Sequence, residues 1–253
     1  MSWPLVTYVL TAALRDKLLL SLLILLVLGA SMSVFIGSSA VIEQDRFSVV
    51  FAGGGLRVAS VLGLVLFVVF FVRRSFENKD VEFLLSRPIG RIQFLLSLAT
   101  AFSLLGILMG AAVGATLYAL SPHLFAQGHI LWVVSLMVEN MIMVNAALFF
   151  SMFLSSASTA AMVTFTFYIL SRMMGQILGI IDAGGRLFDF GPMSIAIQMI
   201  SAVTPRLDLM AQTSWLVYGA GDEIGFIYII IQGLVFSTLI ILASLLDLVF
   251  RKF

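Results

Sequence analysis

Long apolar runs separated by short polar stretches dominate the chain. Six runs are candidates to cross the roughly 30 Å of bilayer hydrocarbon, which takes about 20 helical residues. We place the predicted spans at residues 18–40, 57–72, 92–120, 130–154, 157–180 and 225–250. The run Gly53-Gly54-Gly55, beside the short second span, predicts a loop turn. The pattern indicates an all-α membrane protein with six transmembrane helices. No repeat or long linker divides it, so residues 1–253 form one transmembrane domain.

The first sixteen residues precede the first span and are amphipathic. In residues 2–16, five side chains fall near one helical face: Trp3, Val6, Leu10, Ala13 and Leu14. An amphipathic helix with aromatic rings is typical of a segment that lies along a membrane surface. We therefore expect an N-terminal interfacial elbow helix. The alternative is a simple extension of the first span.

A region of about 44 residues separates the fifth predicted span from the sixth. It contains an apolar piece, residues 193–203, that is too short to cross the bilayer. We expect this piece to form a re-entrant or interfacial helix on the outer side, before the last span. A seventh crossing is the alternative.

The distribution of Lys and Arg predicts the orientation of the chain, because cytoplasmic loops carry an excess of both. With the N-terminus inside, the inner edges hold nine basic residues and the outer side holds four. The inner nine are Arg15, Lys17, Arg73, Arg74, Lys79, Arg87, Arg91, Arg251 and Lys252, and the outer four are Arg46, Arg57, Arg186 and Arg206. Both termini are therefore expected in the cytoplasm.

Composition agrees with a bilayer as the solvent of this chain. Apolar residues make up 61% and charged residues 11%, against roughly 25% charged in a soluble domain. The net charge is +1, and its basic residues lie at membrane edges rather than in one patch, which indicates no nucleic-acid partner.

Several kinds of catalytic and metal site are missing from the sequence. The absence of cysteine excludes disulfides and thiolate metal sites. His123 and His129 are too few for a zinc site. No P-loop lysine is present, because Lys17, Lys79 and Lys252 follow Asp, Asn and Arg. We therefore expect no enzymatic activity and no bound cofactor in this chain.

Two ionisable residues fall inside predicted spans, where charge is costly. Glu139 and Arg172 lie roughly 14 Å and 12 Å from the outer ends of the fourth and fifth spans, at 1.5 Å per residue. The two spans are antiparallel neighbours, so we predict a Glu139–Arg172 pair, supported by Asn140, Asn145 or Gln176. Such a pair either fixes helix register or lines a substrate path.

A ridge of small residues runs along the third span. Gly106, Gly110 and Gly114 repeat every four residues, which lets another helix approach closely. Packing within one subunit and contact between subunits are both consistent with this ridge.

The stretch RRSFENKDVEFLLSRPIGR, residues 73–91, is the one strongly charged run between long apolar segments. Its spacing predicts a short amphipathic helix with Ser75 as N-cap, ending near Ser86 because Pro88 cannot continue it. Such a helix is suited to docking into a groove of a soluble partner. The candidate docking residues are Phe76, Glu77, Val81, Glu82, Leu84, Leu85, Pro88 and Arg91.

This stretch resembles the loop between the second and third spans of type-2 permeases of ABC transporters, which carries E-x-x-x-L-E-x-L-L-x-x-P-[IV]-[SG]-R. The matching residues are Glu77, Val81, Glu82, Leu84, Leu85, Pro88, Ile89, Gly90 and Arg91. The family often has Gly-Thr where this chain has Lys79-Asp80. The segment Thr204-Pro205-Arg206-Leu207-Asp208, with Trp215 and Tyr218, also looks like a feature of these permeases.

The resemblance implies the membrane subunit of an ABC exporter in a bacterial inner (plasma) membrane. Two copies of the permease, as a homodimer, would pair with two copies of a separate ATPase subunit, which would hold ATP and Mg. Residues 76–86 would be the cytoplasmic coupling helix. Two alternatives stay open: an ion-coupled secondary transporter that uses Glu139, and a non-transporting membrane scaffold. No polar constellation selects a substrate.

Overall fold

The computed structural model describes residues 2–15, 17–39, 43–77, 90–184, 191–221 and 224–250. Within these ranges the chain is helical and contains no β-strand. The helices are α1 (Trp3–Arg15), α2 (Lys17–Gly37), α3 (Gln44–Glu77), α4 (Arg91–Leu120), α5 (Gln127–Phe153), α6 (Ala157–Gly184), α7 (Gly191–Val203), α8 (Trp215–Tyr218) and α9 (Phe226–Phe250). Single turns of 3-10 helix lie at Pro122–Leu124 and Leu207–Leu209.

Six of the described helices are long and apolar enough to cross a membrane: α2, α3, α4, α5, α6 and α9. The predicted all-helical architecture with six candidate spans is thereby confirmed. α7 has 13 residues, fewer than a crossing needs, so it does not add a seventh span. Six helices of this length and apolarity are characteristic of an integral membrane protein.

α3 is longer than the sequence predicted. It has 34 residues, about 51 Å at 1.5 Å per residue, and it contains the glycine run that was expected to form a loop turn. That prediction is wrong, because a glycine costs a helix only about 1 kcal/mol. Gly53 serves a close approach instead: a Cβ there would lie 2.5 Å from Leu216 and 3.5 Å from Trp132.

The expected N-cap at Ser75 is also wrong. Ser75 lies within α3, and its hydroxyl donates to the carbonyl of Phe71 at 2.9 Å, one turn earlier in the same helix. The apolar run that precedes Ser75 continues the helix past the predicted boundary at residue 72.

α5 is the central helix of the bundle. It packs against α3, α4, α6, α8 and α9, and its completely buried side chains include Trp132, Leu136, Ile142 and Met143. Its polar residues Glu139, Asn140 and Asn145 are buried as well, as expected of a spanning helix whose polar side chains face protein rather than lipid. α5 therefore sets the positions of the helices around it.

The glycine ridge packs α4 against α5 within the chain. A Cβ on Gly106 would lie 3.1 Å from the backbone of Asn140, and one on Gly110 would lie 2.9 Å from the Cα of Met137. The third member, Gly114, faces Val133, which a Cβ would meet at 2.6 Å. α5 fills the ridge, which leaves no room there for a helix of another subunit.

The predicted N-terminal helix is present, and the side chains that the sequence places near one face differ in burial. Leu5, Val6, Val9 and Ala13 are buried, whereas Trp3 and Leu14 of the predicted face are 64% and 73% exposed. α1 lies against the beginning of α4, where the backbone N–H of Ser2 donates to Ser97 Oγ at 2.7 Å. The helical periodicity alone did not distinguish a face that packs on protein from one that meets the surroundings.

Replacing Gly110 by alanine is expected to destabilise the bundle. Its Cβ would press on the backbone of Met137 at 2.9–3.0 Å, and separating packed helices costs about 1–3 kcal/mol. Gly55→Ala is the matched control, because a Cβ there meets nothing within 4 Å. Thermal unfolding of the detergent-purified protein should show a lower midpoint for Gly110→Ala alone. Equal midpoints would contradict the close packing of α4 on α5.

Candidate functional site

Three charged side chains of the spanning helices come together at one level of the bundle. Arg57 lies about 20 Å along α3 from Gln44, and Glu139 about 18 Å along α5 from Gln127. Arg172 lies about 18 Å before the last residue of α6. An Nη1 of Arg172 is 3.5 Å from Oε2 of Glu139, whose side chain has 0% exposure. The structure thus brings together the two residues that the sequence paired.

Tyr168, rather than the expected amides, completes the surroundings of the pair. Its hydroxyl donates to Oε1 of Glu139 at 3.0 Å. Tyr168 lies four residues before Arg172, so both side chains share one face of α6. This i,i+4 spacing is a signal that the sequence offered and that the prediction did not use.

The three amides proposed as supports lie elsewhere, which corrects the prediction. Asn140 donates to the carbonyl of Gly106 at 3.3 Å, and Asn145 donates to Ser103 Oγ at 2.9 Å. Both therefore join α5 to α4. Gln176 is exposed on α6. A neighbour in sequence is turned by about 100° on a helix, so Asn140 cannot share the direction of Glu139.

Residues 204–218, which we call the cap segment, enter the bundle next to this pair. Leu207, Met210, Ala211, Trp215 and Leu216 of the cap segment are buried. The segment contacts α3, α5 and α6. It is the part of the 44-residue region that sequence reasoning did not connect with the charged pair.

The side chain of Arg172 binds the backbone of the cap segment. Its guanidinium donates to the carbonyl oxygens of Leu207, of Met210 at 2.7 Å and of Ala211 at 3.3 Å. Guanidinium is a rigid fork of five donors, so one arginine can satisfy several carbonyls and a carboxylate together. Arg172 therefore joins Glu139 of α5 to three carbonyls of the cap segment.

Ala211 is the residue on which these contacts converge. Its carbonyl also accepts from Arg57 at 2.7 Å and from the indole N–H of Trp132 at 3.0 Å. Its own N–H donates to Ser135 Oγ at 2.7 Å. Ala211 has a φ of 43°, in the left-handed region, which costs a non-glycine residue about 1–3 kcal/mol. The surrounding hydrogen bonds maintain this strained conformation.

The cluster contains two guanidinium groups and one carboxylate, with carbonyl dipoles supplying further negative charge. An isolated charge in an apolar interior is unfavourable, so each group depends on the others. Among the described residues no three His, Asp or Glu side chains are placed to hold a metal ion. The geometry is therefore suited to joining α3, α5, α6 and the cap segment.

The cap segment has an ion pair of its own. Arg206 Nε and Nη2 donate to Asp208 Oδ1 and Oδ2 at 2.9 Å and 2.8 Å. This bidentate bond raises the pKa of Arg206 above its usual value. Trp215 is buried, whereas Tyr218 is exposed.

Three of the predicted docking residues are described, and they lie at the opposite end of the bundle from the cap segment. Phe76 and Glu77 belong to the last turn of α3, and Arg91 is the first residue of α4. The remaining candidates, Val81, Glu82, Leu84, Leu85 and Pro88, are outside the described residues.

Arg73 ties the end of α3 to the turn between α5 and α6. It donates to the carbonyl of Leu154 at 3.1 Å and to that of Ser155. These carbonyls follow the last residue of α5, where the helix dipole favours a cation. The prediction treated Arg73 as a membrane-edge anchor and missed this link.

Comparison with models of known protein families and with curated protein sequences finds no match for the chain.

Arg172→Met is expected to destabilise the protein by about 3–5 kcal/mol, because it leaves Glu139 and the carbonyls of Leu207 and Met210 without a cationic donor. Arg206→Met is the control, since the Arg206–Asp208 pair is partly exposed and such pairs contribute about 1 kcal/mol or less. Thermal unfolding in detergent measures both.

The double variant Glu139→Leu/Arg172→Met is expected to recover part of the loss, because apolar side chains replace both buried charges. A loss for Arg172→Met no larger than that for Arg206→Met would contradict the role of the cluster.

Proposed function

We propose that this chain is the membrane-spanning subunit of an ABC exporter, moving a substrate that its residues do not identify. A separate ATPase subunit binds ATP and Mg and supplies the energy. Two copies of the chain pair with two copies of that subunit. The observation that carries the proposal is the match of residues 77–91 to the inner loop of type-2 ABC permeases.

The described surroundings of that loop support the proposal. α3 ends at Glu77 and α4 begins at Arg91, so the loop joins two helices of the core at one end of the bundle. α1 packs against the beginning of α4 at the same end. An apolar crevice there is lined by Leu5, Val9, Phe76, Phe94, Leu98 and Met152.

The charge distribution supports a cytoplasmic position for this end. Arg15, Lys17, Arg73, Arg74 and Arg91 lie in the residues of α1, α2, α3 and α4 nearest to it. The positive-inside rule places such an end in the cytoplasm, where a soluble ATPase is present.

The contacts of Arg73 suggest how the loop acts on the helices. A displacement at the end of α3 is passed to the α5–α6 turn through Arg73. α3, α5 and α6 are joined again by Arg57, Glu139 and Arg172 around the cap segment. Two links at different depths favour movement of these three helices as one rigid body.

The same contacts favour a structural role for Glu139 over proton coupling. Its side chain is completely buried, paired with Arg172 and hydrogen-bonded to Tyr168. A proton-coupled carboxyl needs contact with a water-filled path at some stage. The ion-coupled alternative therefore needs a second conformation in which the Arg172 pair is broken.

Leu84→Asp is expected to abolish co-purification of the ATPase with this chain, because it places a charge on the predicted apolar face of the docking helix. Ser86→Asp, which places the same charge about 160° around that helix from Leu84 at 100° per residue, is the matched control and should retain the partner. Affinity purification from the native membrane measures both. Retention of the ATPase by Leu84→Asp would argue against docking through this loop.

Arg73→Gln is expected to leave the ATPase bound but to lower transport per ATP hydrolysed severalfold, because the link from α3 to the α5–α6 turn is lost. Arg74→Gln, which removes the same charge at the same membrane edge, is the control. Reconstituted liposomes, with ATP hydrolysis and transport measured together, distinguish the two. Equal losses in both variants would assign Arg73 to the membrane edge alone.

A further inference from the structure

A groove runs between α2 and α3, on the side of α3 that faces away from the charged cluster. We call it the α2–α3 groove, and its volume is about 470 Å³. It is lined by Ser21, Leu22 and Leu25 of α2 and by six residues between Gly55 and Leu66 of α3. Arg57 is turned by about 160° from Gly55 around α3, at 100° per residue. The groove is therefore separate from the cluster that Arg57 forms with Glu139 and Arg172.

The two helices that form the groove are in firm contact beside it. Leu22 packs on Gly63, where a Cβ would collide with the leucine side chain. Leu56 packs on Gly29, where a Cβ would lie 2.9 Å from it. Gly55 differs, because a Cβ there meets nothing within 4 Å and so enters the groove. The groove is thus an open space beside packed helices, with walls that the two contacts hold in place.

The groove lies at the depth of the hydrocarbon and has an apolar lining. Residues 55–66 occupy the middle of α3, which has 34 residues, and they extend over about 16 Å. This part of α3 therefore fits within a hydrocarbon layer of about 30 Å. Ser21 is the one polar side chain among the described lining residues, so water in the groove would lack hydrogen-bond partners. An apolar chain suits this position, because an empty space there would forfeit packing contacts.

A lysine lies at one end of the groove. Lys17, Ser21 and Leu25 follow one another at intervals of four residues and so share one face of α2. Lys17 is exposed and makes no ion pair with another described residue. The stretch from Arg15 to Lys17 carries a net charge of +1 with Asp16 counted. Basic side chains beside a pocket between spanning helices favour the headgroup of an anionic lipid.

We propose that the α2–α3 groove binds one acyl chain of an anionic phospholipid, whose phosphate lies at the ammonium group of Lys17. Such a lipid matches both parts of the site, since its charged headgroup lies at the membrane edge and its chain extends toward the middle of the bilayer. A second copy of this chain fits less well, because pairing two α2 helices about a two-fold axis brings Lys17 near its own copy. The inference goes beyond the proposed function and does not depend on it.

Filling the groove from Gly55 tests the acyl-chain site. Gly55→Phe places a ring in the open space and is expected to remove one bound phospholipid per chain. Gly55→Ala is the matched control, because a single methyl group leaves most of the groove free. Native mass spectrometry of the purified protein, titrated with phosphatidylglycerol in detergent, counts the bound lipids. Equal lipid binding by the two variants would overturn the proposal.

Lys17→Gln tests the headgroup contact. One basic residue near the membrane surface favours anionic lipid about fivefold, so the affinity for phosphatidylglycerol should fall about fivefold. The affinity for phosphatidylcholine, whose headgroup has no net charge, should stay the same. Lys17→Arg is the control and should keep the preference for phosphatidylglycerol. Equal affinity of the unmodified protein for the two lipids, or no loss in Lys17→Gln, would overturn the choice of an anionic lipid.

The same mass spectra distinguish a bound lipid from a second copy of the chain. Loss of one lipid mass in Gly55→Phe, with the number of protein copies unchanged, supports the proposal. A change in the number of copies at constant lipid content would assign the groove to a protein contact and overturn the lipid site. Neither measurement needs the ATPase, so a failure of the proposed function would leave the lipid site in place.

Discussion

A charge inside an apolar bundle must find its partners within the protein, and this requirement organises the middle of the structure. Arg172 meets it through Glu139 and three backbone carbonyls of the cap segment. Those carbonyls need a donor as much as the guanidinium needs acceptors, because lipid offers neither. The cap segment, α5 and α6 are thus held by one set of contacts, and Arg57 adds α3 to it.

The second constraint is close packing along α5. The glycine ridge of α4 lets the two helix backbones approach, and Asn140 and Asn145 then reach polar atoms on α4. Packing and hydrogen bonding support each other here, because each amide reaches its partner only at short helix separation. Together the two constraints make α3, α4, α5 and α6 a connected body with α2 and α9 on its lipid side.

Much of this arrangement could be predicted from residue order. Hydropathy predicts the six spans because a crossing needs a long apolar helix, and short connections make neighbours antiparallel, which brings Glu139 beside Arg172.

Contacts between residues far apart in sequence were harder to predict. Ala211 carries no chemical signal in its side chain, and its role comes from a backbone carbonyl in a left-handed turn. The helical position of Gly53 was not predicted, because a glycine run is typical of a turn when the side chain that it packs against is unknown. Of the residues placed near one face of α1, Val6 and Ala13 are buried whereas Trp3 and Leu14 are exposed, because periodicity shows that faces differ, not which one meets protein.

The proposed function assigns separate tasks to one end and to the middle of the bundle. The loop between α3 and α4 receives the movement of a partner, Arg73 passes it to the α5–α6 turn, and the buried cluster keeps α3, α5 and α6 aligned.

The most direct test of this division is the native mass of the active assembly, extracted from its own membrane in lipid nanodiscs. We expect two copies of this chain together with two copies of a P-loop ATPase. An active assembly that contains this polypeptide and no nucleotide-binding protein would contradict it.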